Sequence, residues 1–318
     1  MSIIVFYDFK MYNKFMKNNK IFGGIILHYT GEVYRHPMEA YTPLLEVTIG
    51  CSHNKCSFCT MYRKTPFKMS PLEHIKEDLE ELKSYGGHID RIYLVNADPF
   101  VLSAEKLIII GELINSYFPE IKTITGYASI KNIKNKSVDD LKKMRALGFN
   151  QFHIGLETAY DPALKMMNKG FTNAEAYEQL DKLEQAGIEY DALLMLGVAG
   201  RDAGIDNTKA TIDLLSRYKP YMISIMPTSV TPGSELEEIC NSGDYVELTE
   251  REMLLEEIKF LEALDVDDDC FFFGSHNFNL VPVSGEMKDR NIMIYKLKFA
   301  LKTLSPKILD STKPRGSI

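Results

Sequence analysis

The chain turns on Leu44-Leu45-Glu46-Val47-Thr48-Ile49-Gly50-Cys51-Ser52-His53-Asn54-Lys55-Cys56-Ser57-Phe58-Cys59. Its first six residues are mostly apolar and end in the β-branched run Val47-Thr48-Ile49, the composition of a short strand. Gly50 ends that strand, and three of the five cysteines in 318 residues follow within nine positions. Thiolate sulfur is a soft ligand for iron–sulfur clusters, zinc or copper(I). A [4Fe–4S] cluster takes four ligands, so three cysteines with no fourth nearby leave one iron open to a substrate or cofactor. Zinc sites usually pair two ligands at each of two places along a chain, and no second Cys/His pair stands at that spacing. A zinc knuckle completed by His53 or a remote ligand is the competing reading. Buried unligated thiols are a third, but the Ser, His, Asn and Lys between the cysteines do not look like core.

Beyond Pro43 a strand-then-helix unit recurs. Pro71 opens a helix to Ser84, with Ser70 as N-cap and Glu73 completing a capping box. Further strands are read at Arg91–Val95, Lys122–Tyr127, Gln151–Glu157, Tyr190–Leu196 and Tyr221–Met226. Helices start after Ser103, Ser137, Thr172 and Thr249 and over Asp206–Tyr218, with Gly148 and Gly187 as stops. Six such units argue for parallel strands joined by crossover helices, an α/β fold. Six is fewer than the eight of a closed barrel, and a doubly wound sheet fits the pattern too. In either case ligands belong at the C-terminal ends of the strands, where the cysteine loop falls. Residues 1–43 read as an N-terminal extension, Lys/Asn-rich at Met11–Lys20, with a short strand at Ile25–Tyr29. Residues 265–318 read as a C-terminal appendage ending in an amphipathic helix over Lys288–Thr303.

The formal charge of −7 argues against a general nucleic-acid binder. The basic cluster Lys131, Lys134, Lys136, Lys142, Lys143 and Arg145 is interrupted by Asp139 and Asp140 and reads as a solvated helix face. No apolar run approaches the ~20 residues that span a bilayer. The Met1–Asp8 segment lacks the basic start of a signal peptide. Clustered, odd-numbered cysteines are not a disulfide framework. A cytoplasmic protein away from membranes is expected.

The same residues carry a family resemblance. Cys51-x4-Cys56-x2-Cys59, with Phe58 before the last cysteine, resembles the radical S-adenosylmethionine (SAM) superfamily. The branch it looks like holds Elongator, methylthiotransferase and coproporphyrinogen-oxidase-like enzymes. The usual first spacer there is one residue shorter. The resemblance implies a partial (β/α)6 TIM-like barrel over residues 44–264, and a [4Fe–4S] cluster on Cys51, Cys56 and Cys59. It implies SAM bound at the open iron and an oxygen-sensitive enzyme. Flavodoxin or ferredoxin would supply an electron that cleaves SAM to a 5′-deoxyadenosyl radical. That radical abstracts hydrogen from a small substrate.

Residue by residue, Phe58 is similar to the position that contacts adenine. Asn96 and Asp98 stand where the methionine amino group is received, although Asp98-Pro99 also reads as a turn. Glu157, in Gly155-Leu156-Glu157, is similar to the carboxylate that binds the ribose. Lys169 is a candidate partner for the methionine carboxylate, and Gly197 for close approach of adenine. The segment Gly274-Ser275-His276-Asn277 resembles the tail of small members of the branch and would suit a plug over the open barrel end. His276 and Tyr62 are the catalytic candidates. Cys240 and Cys270 are too few for a second all-cysteine cluster. The alternative is a non-catalytic iron–sulfur or tetrapyrrole-handling protein on the same fold.

Overall fold

The strands are apolar runs too short for helices, and the helices over Ala104–Tyr117, Val138–Ala146, Asn173–Ala186 and Glu250–Ala263 each begin at a Ser or Thr side-chain cap. The computed structural model describes residues 27–312. Met11–Lys20 and the start of the strand expected at Ile25–Tyr29 lie outside them, and Leu27–Tyr29 is not a strand. The first half runs β1 (Leu44–Leu45), β2 (Thr48–Ile49), β3 (Lys68–Met69), α1 (Leu72–Ser84), β4 (Arg91–Leu94), α2 (Ala104–Tyr117), β5 (Thr123–Ala128), α3 (Ile130–Lys134), α4 (Val138–Ala146) and β6 (Gln151–Glu157). Then come α5 (Asp161–Met166), α6 (Asn173–Ala186), β7 (Glu189–Leu196), α7 (Gly204–Arg217), β8 (Met222–Pro227), α8 (Glu235–Ser242) and α9 (Glu250–Ala263). The described chain closes with β9 (Phe271–Gly274), β10 (Val283–Glu286), α10 (Arg290–Thr303) and α11 (Pro306–Leu309).

The main sheet has the order β1-β4-β5-β6-β7-β8-β9-β10, parallel throughout except for the last pair. It is a partial, unclosed TIM-like barrel. Alternation along the strands divides its faces. Ile92, Phe152, Ile154, Ala192, Leu194, Ile223, Ile225 and Phe272 pack with the helices in one core. Tyr93, His153, Asp191, Ser224 and Phe273 alternate with them and face the lumen. Ser137, Thr172 and Thr249 form capping boxes with Asp140, Glu175 and Glu252, each worth about 1 kcal/mol. Gly187, at φ 68°, ends α6 in the left-handed conformation that favours glycine.

Several expectations need correction. Pro71, fixed at φ −58° and ψ 141°, takes the N-cap position of α1 without a side-chain bond, and the buried Ser70 hydroxyl has no hydrogen-bond partner. The expected strand at 44–49 splits. Leu44–Leu45 pairs in parallel with β4, and Thr48–Ile49 turns away to pair antiparallel with β3. The segment after 264 extends the sheet: β9 adds in parallel to β8, and β10 folds back on β9, so the loop that carries His276 leaves the sheet at the C-terminal end of the strands. The lumen is entered by a 3-10 turn at Pro37–Glu39, next to buried His36. Lys136 does not lie on a solvated face. Its amine is buried over Phe100 and donates to Phe100 O (2.7 Å) and Asn132 O (2.9 Å). Among the described residues, no helix is long and apolar enough to cross a membrane.

Candidate active site

The cysteine loop lies beyond β2, at the C-terminal end of the barrel, and backbone contacts hold it in place. Gly50 has φ 73°, and a Cβ there would stand 2.9 Å from Thr65 O. Asn54 is also left-handed, at φ 45°, and its amide donates to Tyr62 O (2.7 Å). Arg63 donates to Cys59 O (3.0 Å), Cys56 O (2.9 Å) and Asn54 O (3.3 Å). The three thiols are free and half-buried. Burial, and after it the Asp98 carboxylate, pushes Cys51 up to about 11, and burial also raises Cys56 and Cys59. Cys56 adds to the rise at both Cys51 and Cys59, so the three groups share one electrostatic neighbourhood. Unpaired, desolvated thiols of this kind gain most from a metal, which holds them as thiolates and releases their protons. His53 does not complete a zinc set: its Nε2 meets Asn168 O (2.6 Å) and its Nδ1 meets Lys131 Nζ (3.0 Å). A three-sulfur donor set fits a [4Fe–4S] cluster with one open iron.

Glu157 and Lys169, read separately in the sequence, are brought into one ion pair. Lys169 Nζ lies 2.9 Å from Glu157 Oε1, with both side chains largely buried. Glu157 sits at φ 62°, where the β6–β7 register shifts, so its side chain turns back across its own strand. A Cβ at Gly155 would stand 2.9 Å from Glu157 Oε1; glycine leaves room for that return. Burial lowers the Lys169 pKa, but Glu157, and after it Cys56, raise it by more, so the amine stays charged. Lys169 Nζ also lies 5.8 Å from the Phe58 ring. Phe58 packs against a cluster that includes Met167 and Met195.

The remaining expected residues divide. Asp98 is tied to the cysteine loop through the Ser52 amide (3.2 Å) and hydroxyl. Burial raises its pKa to about 6 against those hydrogen bonds. Asn96 uses its side chain internally, donating to Glu46 Oε2 (3.1 Å) and Thr48 O (2.9 Å) and accepting from Tyr62 OH (3.3 Å). It therefore braces the strand ends and offers no free group to a cofactor. Buried Tyr62 stands beside the loop, its pKa raised by burial and by Tyr34. Gly197 precedes Val198, which shares with Met167 and Met195 the cluster that Phe58 packs against. Its amide donates to Glu256 Oε2 (2.6 Å), and its carbonyl accepts from Tyr245 OH (2.9 Å). His276 lies in the β9–β10 loop, where its Nδ1 accepts from Phe278 N–H (3.3 Å). Arg63 and Gly155 were missed; the signal for Gly155 was its place in Gly155-Leu156-Glu157.

A second polar group fills the lumen. His153 Nδ1 lies 2.8 Å from Asp191 Oδ2, and its Nε2 3.3 Å from Glu39 Oε1. Burial lowers the His153 pKa, but these two carboxylates raise it by more. Arg91 Nε grips both Glu39 oxygens (3.1 and 3.0 Å). His36 Nδ1 accepts from Met38 N–H, so its Nε2 carries the proton toward Ser224 Oγ (3.1 Å). His36, His153 and Asp191 have metal-like proximity, but the two rings stack at 4.3 Å and 15°. A metal lies in the plane of each imidazole that binds it, at about 2.0–2.1 Å; two stacked rings do not share such a point. The group is a closed hydrogen-bond and charge network.

Residues 45–215, more than half of the chain, match the family model of the Radical SAM superfamily. The chain belongs to that superfamily. It is 26% identical over 230 residues to an uncharacterized protein of Methanocaldococcus jannaschii, covering 69% of this chain and 70% of that one. It is 27% identical over 117 residues to the tRNA uridine(34) acetyltransferase of the same organism, covering 36% and 21%. It is 22% identical over 192 residues to the heme chaperone HemW of Bacillus subtilis, covering 57% and 50%. The radical SAM chain thus spans half or less of the latter two. The solved structure of the Escherichia coli radical SAM enzyme coproporphyrinogen III oxidase shares the fold, with TM-score 0.52 and 16% identity over 70% of this chain and 52% of that one.

Proposed function

We propose that this radical SAM enzyme binds a [4Fe–4S] cluster through Cys51, Cys56 and Cys59 and acts on a small substrate at the C-terminal mouth of the barrel. One observation carries the reading: the loop that bears the three free thiols packs on the turn that bears Lys169, with Ser57 bonded to Met166 O and Met167 O and the Phe58 ring 5.8 Å from the buried amine that pairs with Glu157. With the cluster bound, SAM supplies a 5′-deoxyadenosyl radical that abstracts hydrogen. Glu157 would accept hydrogen bonds from the ribose hydroxyls, Lys169 would pair with the methionine carboxylate, and the Phe58 position would contact the adenine. Asp98 holds the loop through Ser52, and Tyr62 lines the mouth as the candidate hydrogen donor. A small substrate fits a lumen whose lower half is taken by His36–Glu39. The electron comes from a flavodoxin or ferredoxin, and the protein works in the cytoplasm.

Anaerobic reconstitution followed by reduction in the presence of SAM tests this. Formation of 5′-deoxyadenosine above a cluster-free control is expected; its absence overturns the catalytic reading. The similarity to a heme chaperone favours one second reading, a tetrapyrrole-handling protein on the same fold. A saturable haem-induced Soret shift without 5′-deoxyadenosine would favour it.

A further inference from the structure

We propose that the extra residue between Cys51 and Cys56 makes His53 a strap that positions Lys169 in the cofactor site. This rests on the reading that SAM fills that site. The last carbonyls of a helix have no partners within it. Beyond α5, the cysteine loop supplies donors to three consecutive ones. Ser57 Oγ donates to Met166 O (2.8 Å), Ser57 N to Met167 O (3.0 Å) and His53 Nε2 to Asn168 O (2.6 Å). The next residue is Lys169, and the left-handed residues Asn168 (φ 51°) and Gly170 (φ 73°) flank it. The turn that presents Lys169 to Glu157 is thereby fastened to the loop that carries the thiols.

The ring is fixed from its other side. Lys131 Nζ donates to His53 Nδ1 (3.0 Å), which leaves the ring proton on Nε2, facing Asn168 O. A Cβ at Gly170 would stand 3.1 Å from both His53 Cε1 and Lys131 Nζ, so glycine lets the three segments close. The longer spacer provides the reach. Asn54 takes the left-handed turn and folds back to Tyr62 O, while His53 is carried out to α5. His53 is a positioning residue: it acts on the cofactor through Lys169.

The test uses anaerobically reconstituted wild type, His53→Ala and His53→Gln. Each is measured for iron content, SAM dissociation constant by equilibrium dialysis, and amide hydrogen exchange over residues 166–170. His53→Ala is expected to keep its iron, to exchange several-fold faster over 166–170, and to bind SAM about five- to tenfold more weakly, the loss of one modest hydrogen bond. His53→Gln, whose amide also donates, recovers most of both. Wild-type exchange in His53→Ala overturns the strap, and faster exchange with unchanged SAM affinity overturns the positioning role. If His53→Ala loses iron, Lys131→Ala decides: faster exchange over 166–170 supports the strap and unchanged exchange overturns it. A wild type that binds no SAM fails the functional reading, and the exchange data still decide the strap.

Discussion

The barrel holds two polar assemblies, and they are built on opposite terms. In the lumen, His153 lies between Asp191 and Glu39, Arg91 grips Glu39, and His36 closes the ring through Ser224. Nearly every strong donor and acceptor there is matched, with Asp191 Oδ1 the exception. At the cysteine end, three thiols have no covalent partner and a buried ammonium leans on one carboxylate. Buried charge that is matched internally fixes a conformation, whereas groups left short of partners hold valence for a ligand. The lumen therefore reads as scaffold and the cysteine end as site.

The largest effect is expected from His153→Ala, which removes the imidazole that bridges Asp191 and Glu39. Removing one member of a buried pair costs about 3–5 kcal/mol, measurable by chemical denaturation. A loss under about 1 kcal/mol would break the distinction. Next comes Glu157→Gln at the other end. It should weaken SAM binding about tenfold, about 1.4 kcal/mol, on top of the stability lost by leaving the buried Lys169 ammonium without its carboxylate. An unaltered dissociation constant would remove Glu157 from the site.

The smallest effect lies in the pH dependence. The raised pKa of His153 gives stability that is full below the ordinary histidine value and fades as pH rises through the folded one. His36 is depressed, first by burial and then by the His153 charge, so its contribution is lost as pH falls below the ordinary value. The two slopes oppose each other, with Glu39, Asp191, Arg91 and His276 as the facing charges. Melting temperatures between pH 6 and 8 should therefore fall with pH in His36→Gln and rise in His153→Gln. Slopes of the same sign would show that the rings do not titrate as this network requires.

The frame was legible because its signals are local. Thr172 with Glu175 and Gly187 bounds α6 at both ends, and Gln151–Glu157 is a strand over its full expected length. Cysteine spacing is equally local, so the thiols could be read directly. Errors fell where distant packing overrides local pattern. Phe271-Phe272-Phe273 is an apolar run whose partner, β8, lies far back along the chain, and Val283–Glu286 has little strand character until β9 pairs with it. Acidic α8 is short, and only the Ser234 cap and Gly243 mark its ends. The Glu157–Lys169 contact needs a left-handed glutamate, and no spacing rule anticipates one. The Gly197 amide and carbonyl are bonded by Glu256 and Tyr245, partners about 50 residues on that no local pattern joins to it. His36, His153 and Asp191 come from three separate segments, and no local pattern joins them.

The central claim is that Cys51, Cys56 and Cys59 are the site's metal ligands. The most direct test is iron per chain after anaerobic reconstitution, comparing wild type with the Cys51→Ala/Cys56→Ala/Cys59→Ala variant. About four iron per wild-type chain and none held by the variant is the expected result. Fewer than about three in the wild type, or equal iron in the two proteins, would contradict the account.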